Sequence, residues 1–340
     1  MRLSQTTIIA EAGVNHNGSI NTAKEMIDVA VEADANFVKF QTFKAEALVT
    51  RSADKAEYQK NLTDKSESQF DMIKKLELDR AAHDELIQHC EEKGIRFLST
   101  AFDHGSIDML AELDISLYKI PSGEITNLPY LRHIGHMGKP VIMSTGMATL
   151  VEVRAALNIL LETGVRKNQI TILHCNTEYP TSMKDVNLRA MLTIRDELGV
   201  AVGYSDHTLG IEIPIAAVAM GATVIEKHFT LDRTLSGPDH ASSLEPDELK
   251  AMVSAIRDIE KALGDGVKKP TSREVEISKL ARKSLVYGNN LVDGSIIKRD
   301  DLHVKRPGTG INPFLYDEMI GRRLIKNVSA DQLVKMDDFE

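Results

Sequence analysis

Only two of the 340 residues are cysteine, Cys90 in an amphipathic helical pattern and Cys175 at a strand end. Two scattered thiols argue against a disulfide framework and for a reducing compartment. No apolar stretch approaches the roughly 20 residues that a membrane span needs. The first five residues are short and polar and carry no signal-peptide pattern, so a cytoplasmic protein with no membrane partner is expected. Positive charge is also in deficit: Lys and Arg number 41 against 50 Asp and Glu, a formal net charge of −9. That balance argues against nucleic acid as a partner, because neutralising phosphates needs a basic face. It leaves room for a small anionic substrate in a locally basic site. Hydrophobic content of 42% and charged content of 27% are those of a globular chain. The length suits a full barrel plus a small extra domain.

Within the first 230 residues lie eight short apolar runs, each ending on a polar or ionisable group. Ile8-Ile9-Ala10 runs into Glu11, and Phe37-Val38-Lys39-Phe40 into Gln41. Phe97-Leu98 leads to Ser99-Thr100, Leu117-Tyr118-Lys119-Ile120 to Ser122 and Glu124, and Val141-Ile142-Met143 to Ser144-Thr145. Ile172-Leu173-His174-Cys175 leads to Asn176 and Tyr179, Val202-Gly203-Tyr204 to Ser205-Asp206-His207, and Val224-Ile225-Glu226-Lys227 to His228. Helical spacing fills the intervals over residues 20–33, 79–93, 107–112, 150–163, 187–198, 211–220 and 246–263. Alternating βα units predict a parallel sheet, and a count of eight predicts closure into a (β/α)8 TIM barrel with its active site at the carboxyl ends of the strands. The connection over residues 44–71 is long and polar and reads as a lid or a solvated insertion. The expected domains are a barrel over 1–265, a linker over 266–280, and a second unit over 281–340. The second unit has short β-like runs and a marginal core of its own.

His207 and His228 end adjacent strands, and two imidazoles pointing into one cavity suit a divalent first-row metal with open positions. The bland alternative is two ordinary strand-end histidines. Lys39 and Lys119, with Lys227 near strand eight, are costly in a barrel unless they meet an anion. With Thr100, Ser122, Ser144 and Thr145 they predict a phosphate or carboxylate site. Lys119 is equally readable as a Schiff-base nucleophile of a class I aldolase, or as a structural partner of Glu124. Glu11 reads as a general acid or base, or as the group that fixes a metal-bound water. A barrel that has lost activity and only binds would show gaps in this set, and Glu11, Lys39, Lys119, His207 and His228 are all present.

Several motifs resemble the sialic acid synthase family. They are Ala10-Glu11-Ala12-Gly13-Val14-Asn15-His16-Asn17-Gly18, Lys39-Phe40-Gln41-Thr42-Phe43, Lys119-Ile120-Pro121-Ser122-Gly123-Glu124, Ser144-Thr145-Gly146-Met147, Tyr204-Ser205-Asp206-His207, Glu226-Lys227-His228-Phe229-Thr230 and Ser236-Gly237-Pro238-Asp239-His240. Lys305-Arg306-Pro307-Gly308 is similar to the marker of that family's C-terminal antifreeze-like (SAF) domain, of β-clip type. The resemblance covers nearly the whole chain, in order. It implies condensation of phosphoenolpyruvate with an open-chain N-acetylated hexosamine and water, giving a nine-carbon 2-keto sugar acid and phosphate with the help of Mn2+ or Mg2+. By resemblance, His207 and His228 hold the metal, and Glu11 handles the water or the aldehyde proton. Lys39, Thr100, Lys119, Ser122 and Ser144 meet phosphoenolpyruvate, and Gln41, Tyr179 and Asp239 meet the sugar. Arg306 reaches into the barrel of a second subunit near the N-acetyl group, which implies a homodimer with an exchanged C-terminal domain. The sequence departs from the family pattern at Ala101 and Ser182, where proline is frequent; both bear on the sugar end. Phe40-Gln41-Thr42-Phe43-Lys44 and His174-Cys175-Asn176-Thr177-Glu178-Tyr179-Pro180 are most similar to the bacterial branches that make N-acetylneuraminate or N,N'-diacetyllegionaminate, rather than the pseudaminate branch or the branch that uses a 6-phosphate.

Overall fold

The computed structural model describes residues 5–51, 53–55 and 67–340. It divides into two compact units, Met1–Asp265 and Gly266–Glu340. In the first, the strands are β1 Thr7–Gly13, β2 Phe37–Thr42, β3 Arg96–Ala101, β4 Tyr118–Ile120, β5 Val141–Ser144, β6 Ile170–His174, β7 Ala201–Asp206 and β8 Val224–His228. They form one parallel sheet in the order β3-β2-β1-β8-β7-β6-β5-β4. Only the seam between β3 and β4 lacks a ladder among the described residues, so the sheet is a nearly closed (β/α)8 barrel.

The alternation of side chains along a strand explains where the site lies. Ile9, Phe37, Leu98, Leu117, Ile142, Leu173 and Val224 point inward and pack into an apolar floor. Two residues further along the same strands stand Glu11, Lys39, Thr100, Lys119, Ser144, Cys175 and Glu226. The apolar floor shuts the barrel below them and leaves the carboxyl end open, as in other barrels of this architecture. On β7 the floor position is Gly203, where a Cβ would come within 2.2 Å of the Val224 carbonyl oxygen. The outward residues, such as Ile8, Ala10, Val38, Phe40, Tyr204 and Ile225, build the larger core against the helices.

Several of the helices begin where a side chain satisfies the first amides. Ser19 accepts from Thr22 N ahead of Ile20–Glu32, and Asp79 accepts from Ala82 N ahead of Arg80–Lys93. Asp103 caps His104–Glu112, which therefore starts three residues before the pattern at 107–112 suggests. A helix that the apolar spacing does not announce, Leu128–His136, is capped by Asn127, carries proline in its first turn and buries Tyr130, Leu131 and Ile134. Of the connection over residues 44–71, positions 52 and 56–66 lie outside the described residues, and the lid reading falls partly on them. The rest contributes two short helices, Ala45–Leu48 and Gln69–Lys74. Leu48, Ile73 and Leu76 pack with Phe43, Val14 and Phe102. No described helix is long and apolar enough to cross a membrane.

The second unit opens with the helix Ser272–Ala281, closed by a capping box between Thr271 and Glu274, in the stretch read from sequence as linker. Strands β9 Ser284–Tyr287 and β10 Leu302–Lys305 pair antiparallel. Single bridges join Ile296 to Arg323 and Leu324 to Phe339. The core expected to be marginal is a cluster of nine buried side chains. Leu285, Tyr287, Ile297, Leu302, Met319, Leu324, Val328, Val334 and Phe339 form a core of the unit's own. Buried Asp338 ties it together, accepting from Tyr287 Oη at 3.0 Å and facing Lys326 at 2.7 Å.

Candidate active site

A cavity of about 260 Å³ stands on the apolar floor. Its lining includes Glu11, Lys39, Gln41, Thr100, Lys119, Ser122, Ser144, Tyr179, His207 and His228, so ten of the twelve site residues expected from sequence converge there. Asp239 lines an adjoining cavity of about 200 Å³ that shares Gln41, Phe102, Tyr179 and His228 with the first. Arg306 belongs to the second unit, where it is exposed and its Nε donates to the Ala281 carbonyl at 3.1 Å.

At the base of the first cavity lies a buried cluster of two lysines and two carboxylates. Lys39 Nζ is 2.6 Å from Glu11 and 3.6 Å from Glu226, and it donates to Thr100 Oγ1 at 2.9 Å. Lys119 Nζ is 3.3 Å from Glu226, which also accepts from Ser205 Oγ at 2.8 Å. Burial would raise the Glu226 pKa, but Lys119 and Lys39 outweigh it and hold the carboxyl down to about 2. Glu11 goes the other way. Burial and the negative charge of Glu226 prevail over the Lys39 contact, and its pKa rises to about 7. The short Glu11–Lys39 contact alone argues for a lowered value; full burial of both groups decides the direction. Burial tends to lower the Lys39 pKa, but Glu11 and Glu226 reverse this and raise it, whereas burial prevails at Lys119 and lowers it. Glu226 is the member of this cluster that sequence reading passed over. Counting back two from His228 along β8 puts it on the same inward face.

The same count corrects Lys227. It faces outward, fully buried, and forms an ion pair with Asp206 at 2.5 Å while donating to the Thr208 carbonyl. It is part of the packing behind the barrel wall and not of the anion site. Glu124 is not the partner of Lys119 either; it accepts from Asn127 Nδ2 at 2.6 Å. Ser122 Oγ accepts from Gly146 N at 2.9 Å and lies 3.3 Å from Cys175 Sγ. Ser144 Oγ is buried without a protein partner.

Above the lysines sit the imidazoles, their ring centroids 5.5 Å apart, with the Tyr179 ring 4.1 Å from His207 and 5.8 Å from His228. His207 Nδ1 donates to the Asn176 carbonyl at 2.5 Å. A carbonyl accepts only from N–H, so the neutral ring carries its lone pair on Nε2. His228 Nδ1 is buried without a partner. Burial lowers the pKa of both rings; at His228 the neighbouring His207 and Lys39 lower it further, so both stay neutral near pH 7. Two neutral imidazoles, one oriented by a backbone carbonyl, match the donor set of a divalent first-row metal. No described group of three or more His, Cys, Asp or Glu residues is arranged to hold such an ion, so the protein offers two imidazoles and leaves other positions open. A bulge after Glu11 brings Gly13, at a φ of +54°, against them. A Cβ there would lie 3.3 Å from His228 Cε1 and 3.4 Å from Glu11 Oε1.

Comparison with known proteins matches residues 26–268 to the NeuB family and residues 282–340 to the SAF domain. The chain is 51% identical to an N,N'-diacetyllegionaminic acid synthase of Campylobacter jejuni, over 98% of this chain and 100% of that protein. It is 50% identical to an N,N'-diacetyllegionaminic acid synthase of Legionella pneumophila, over 95% of this chain and 91% of that protein. Among solved structures it resembles the N-acetylneuraminic acid (sialic acid) synthetase of Leptospira borgpetersenii, crystallised with citrate. That match has a TM-score of 0.71 and 36% identity, and covers 81% of this chain and 90% of that one.

Proposed function

The chain belongs to the NeuB family, and we propose that it condenses phosphoenolpyruvate with the open-chain form of an N-acetylated mannose-type sugar. Water is consumed, and a nine-carbon 2-keto sugar acid and phosphate are formed. The observation that carries this reading is the buried Lys39–Lys119 cluster set directly beneath two neutral imidazoles. One end of the cavity attracts a small polyanion, and the other offers lone pairs. Half-identical relatives named for N,N'-diacetyllegionaminic acid favour a 6-deoxy diacetamido sugar as the acceptor.

Lys39 and Lys119 bind the phosphate and carboxylate of phosphoenolpyruvate, with hydroxyl donors from Thr100, Ser122 and Ser144. Glu226 stays ionised and offsets part of the charge of the two lysines. His207 and His228 hold Mn2+ or Mg2+, which when bound supplies Lewis-acid polarisation of the sugar aldehyde. The enol carbon attacks the aldehyde carbon, water adds at C2, and the tetrahedral carbon expels phosphate by C–O cleavage. Glu11 lies beside Lys39, at the phosphoenolpyruvate end, and its raised pKa suits it to take the proton of that water near neutral pH. Holding both reactants in one barrel mouth supplies the entropic part of the rate. A homodimer in which Arg306 of one subunit meets the sugar bound by the other is part of the proposal. It predicts that Arg306→Ala weakens sugar use more than phosphoenolpyruvate use.

Schiff-base chemistry at Lys119 is not favoured, since Glu226 engages that amine and the family relatives are synthases. The test is to incubate the protein with phosphoenolpyruvate, Mn2+ and a panel of N-acetylated mannose derivatives, and to follow phosphate. Sugar-dependent phosphate release supports the reading. A borohydride-trapped pyruvate adduct on Lys119 without phosphate release overturns it.

A further inference from the structure

The adjoining cavity that holds Asp239 differs in character from the reaction cavity. Its inner end carries Asp239, Tyr179 and His228, while its outer end is walled by Phe43, Leu48, Met72 and Leu76, with the Gln69 amide among them. The wall is apolar because Leu48 and Ile73, on the two short helices after β2, pack with Phe43 and Leu76. Among the described residues lining this cavity there is no Lys or Arg, and the one carboxyl, Asp239, is buried deeply enough that its pKa rises to about 6. An acceptor sugar extending from the imidazoles past Tyr179 therefore places its far end against hydrocarbon and an amide. Among the described lining residues a phosphate there would find no cation, and a hydroxymethyl group would give up water for a wall whose one amide, Gln69, is its only polar group beside hydrocarbon. A methyl group and an acetamido group find what each needs, apolar contact for the methyls and an amide partner for the N–H and C=O.

We propose that Leu48, Met72 and Leu76 form a specificity wall that receives the methyl-bearing far end of the acceptor and selects a deoxy, diacetamido sugar over its hydroxylated or phosphorylated counterparts. This rests on the synthase reading above. An apolar pocket rejects an added hydroxyl by about 10- to 100-fold, which sets the size of the effect.

The experiment measures kcat/KM, with saturating phosphoenolpyruvate and Mn2+, for three acceptors: the 6-deoxy diacetamido sugar, N-acetylmannosamine and its 6-phosphate. The wild type is expected to prefer the first by 10-fold or more. Leu48→Asn and Met72→Gln are expected to cut that preference by about 10-fold, mainly through KM for the sugar, with KM for phosphoenolpyruvate unmoved. Leu48→Met is expected to retain the preference. Leu48 is only half-buried, so its variants report even where a Met72 variant fails to fold. A wild type that turns over N-acetylmannosamine or its 6-phosphate best overturns the wall while leaving the synthase reading intact. So does an unchanged preference in a folded Leu48→Asn protein. Absence of phosphate release with every acceptor overturns both.

Discussion

Replacing Glu226 with Gln removes one charge from the buried cluster and keeps the side chain's volume. Lys39 retains Glu11 at 2.6 Å, but Lys119 loses its only ion pair among the described residues, the 3.3 Å contact to Glu226. Removing one partner of a buried pair costs about 3–5 kcal/mol. Part of that returns, because Glu11 is relieved of a negative neighbour and ionises more readily. A net loss of about 2–4 kcal/mol remains, or roughly 5–15 °C of melting temperature for a domain of this size. The pH dependence has a definite sign. Glu226 is depressed from an ordinary 4.5 to about 2, so its stabilisation is fully present above 4.5 and fades as pH falls towards 2. The gap between the two proteins is therefore full at pH 7 and narrows in acid. Phosphoenolpyruvate, by pairing with the buried cation that Glu226 no longer meets, should raise the variant's melting temperature more than the wild type's. Thermal melts at pH 7 and pH 3, with and without phosphoenolpyruvate, measure all three effects. A variant that melts with the wild type at pH 7, or a gap that widens in acid, refutes the cluster described here.

His207→Ala and His228→Ala, assayed after chelator treatment and readdition of Mn2+, should each lower condensation by about 100-fold or more; normal activity in either variant removes the metal role. Gly13→Ala puts a methyl against His228 and Glu11 at a positive φ. It should cost about 1 kcal/mol of stability or more and reduce kcat at least several-fold, measured by melting and phosphate release. Lys227→Met leaves Asp206 buried and unpaired, so stability should fall by about 3–5 kcal/mol while KM for phosphoenolpyruvate holds; a large rise in that KM would return Lys227 to the anion site. Activity should rise with pH through about 7 as Glu11 ionises and fall off in acid; a flat profile from pH 6 to 8 contradicts Glu11 as the base.

The barrel was legible because eight apolar runs end on reactive groups, and a parallel strand carries its last inward residue to the open end of the sheet. Period two also decides which of two neighbouring charges enters the barrel. Reading Glu226-Lys227-His228 as a block hid Glu226 and misplaced Lys227, though counting inward from His228 separates them. The helix Leu128–His136 escaped because proline, glycine and two histidines dilute its apolar stripe, and its stability comes from burying Tyr130 and Leu131. The core of the second unit was illegible for a different reason. Its members are spread from Leu285 to Phe339 through single bridges and turns, so no local period marks them. The apolar wall of the adjoining cavity depends on how the helices after β2 fold back onto Phe43, a tertiary contact that no spacing encodes.

The bond broken during turnover is the most direct test of the proposed chemistry. Phosphoenolpyruvate labelled with 18O in the bridging C–O–P position is incubated with the protein, Mn2+ and the preferred sugar, and the released phosphate is weighed by mass spectrometry. Attack of water at C2 followed by C–O cleavage carries the label into phosphate, one atom per turnover. Unlabelled phosphate, with 18O left on the sugar acid, would mean P–O cleavage and would contradict the mechanism built on Glu11, Lys39 and Lys119.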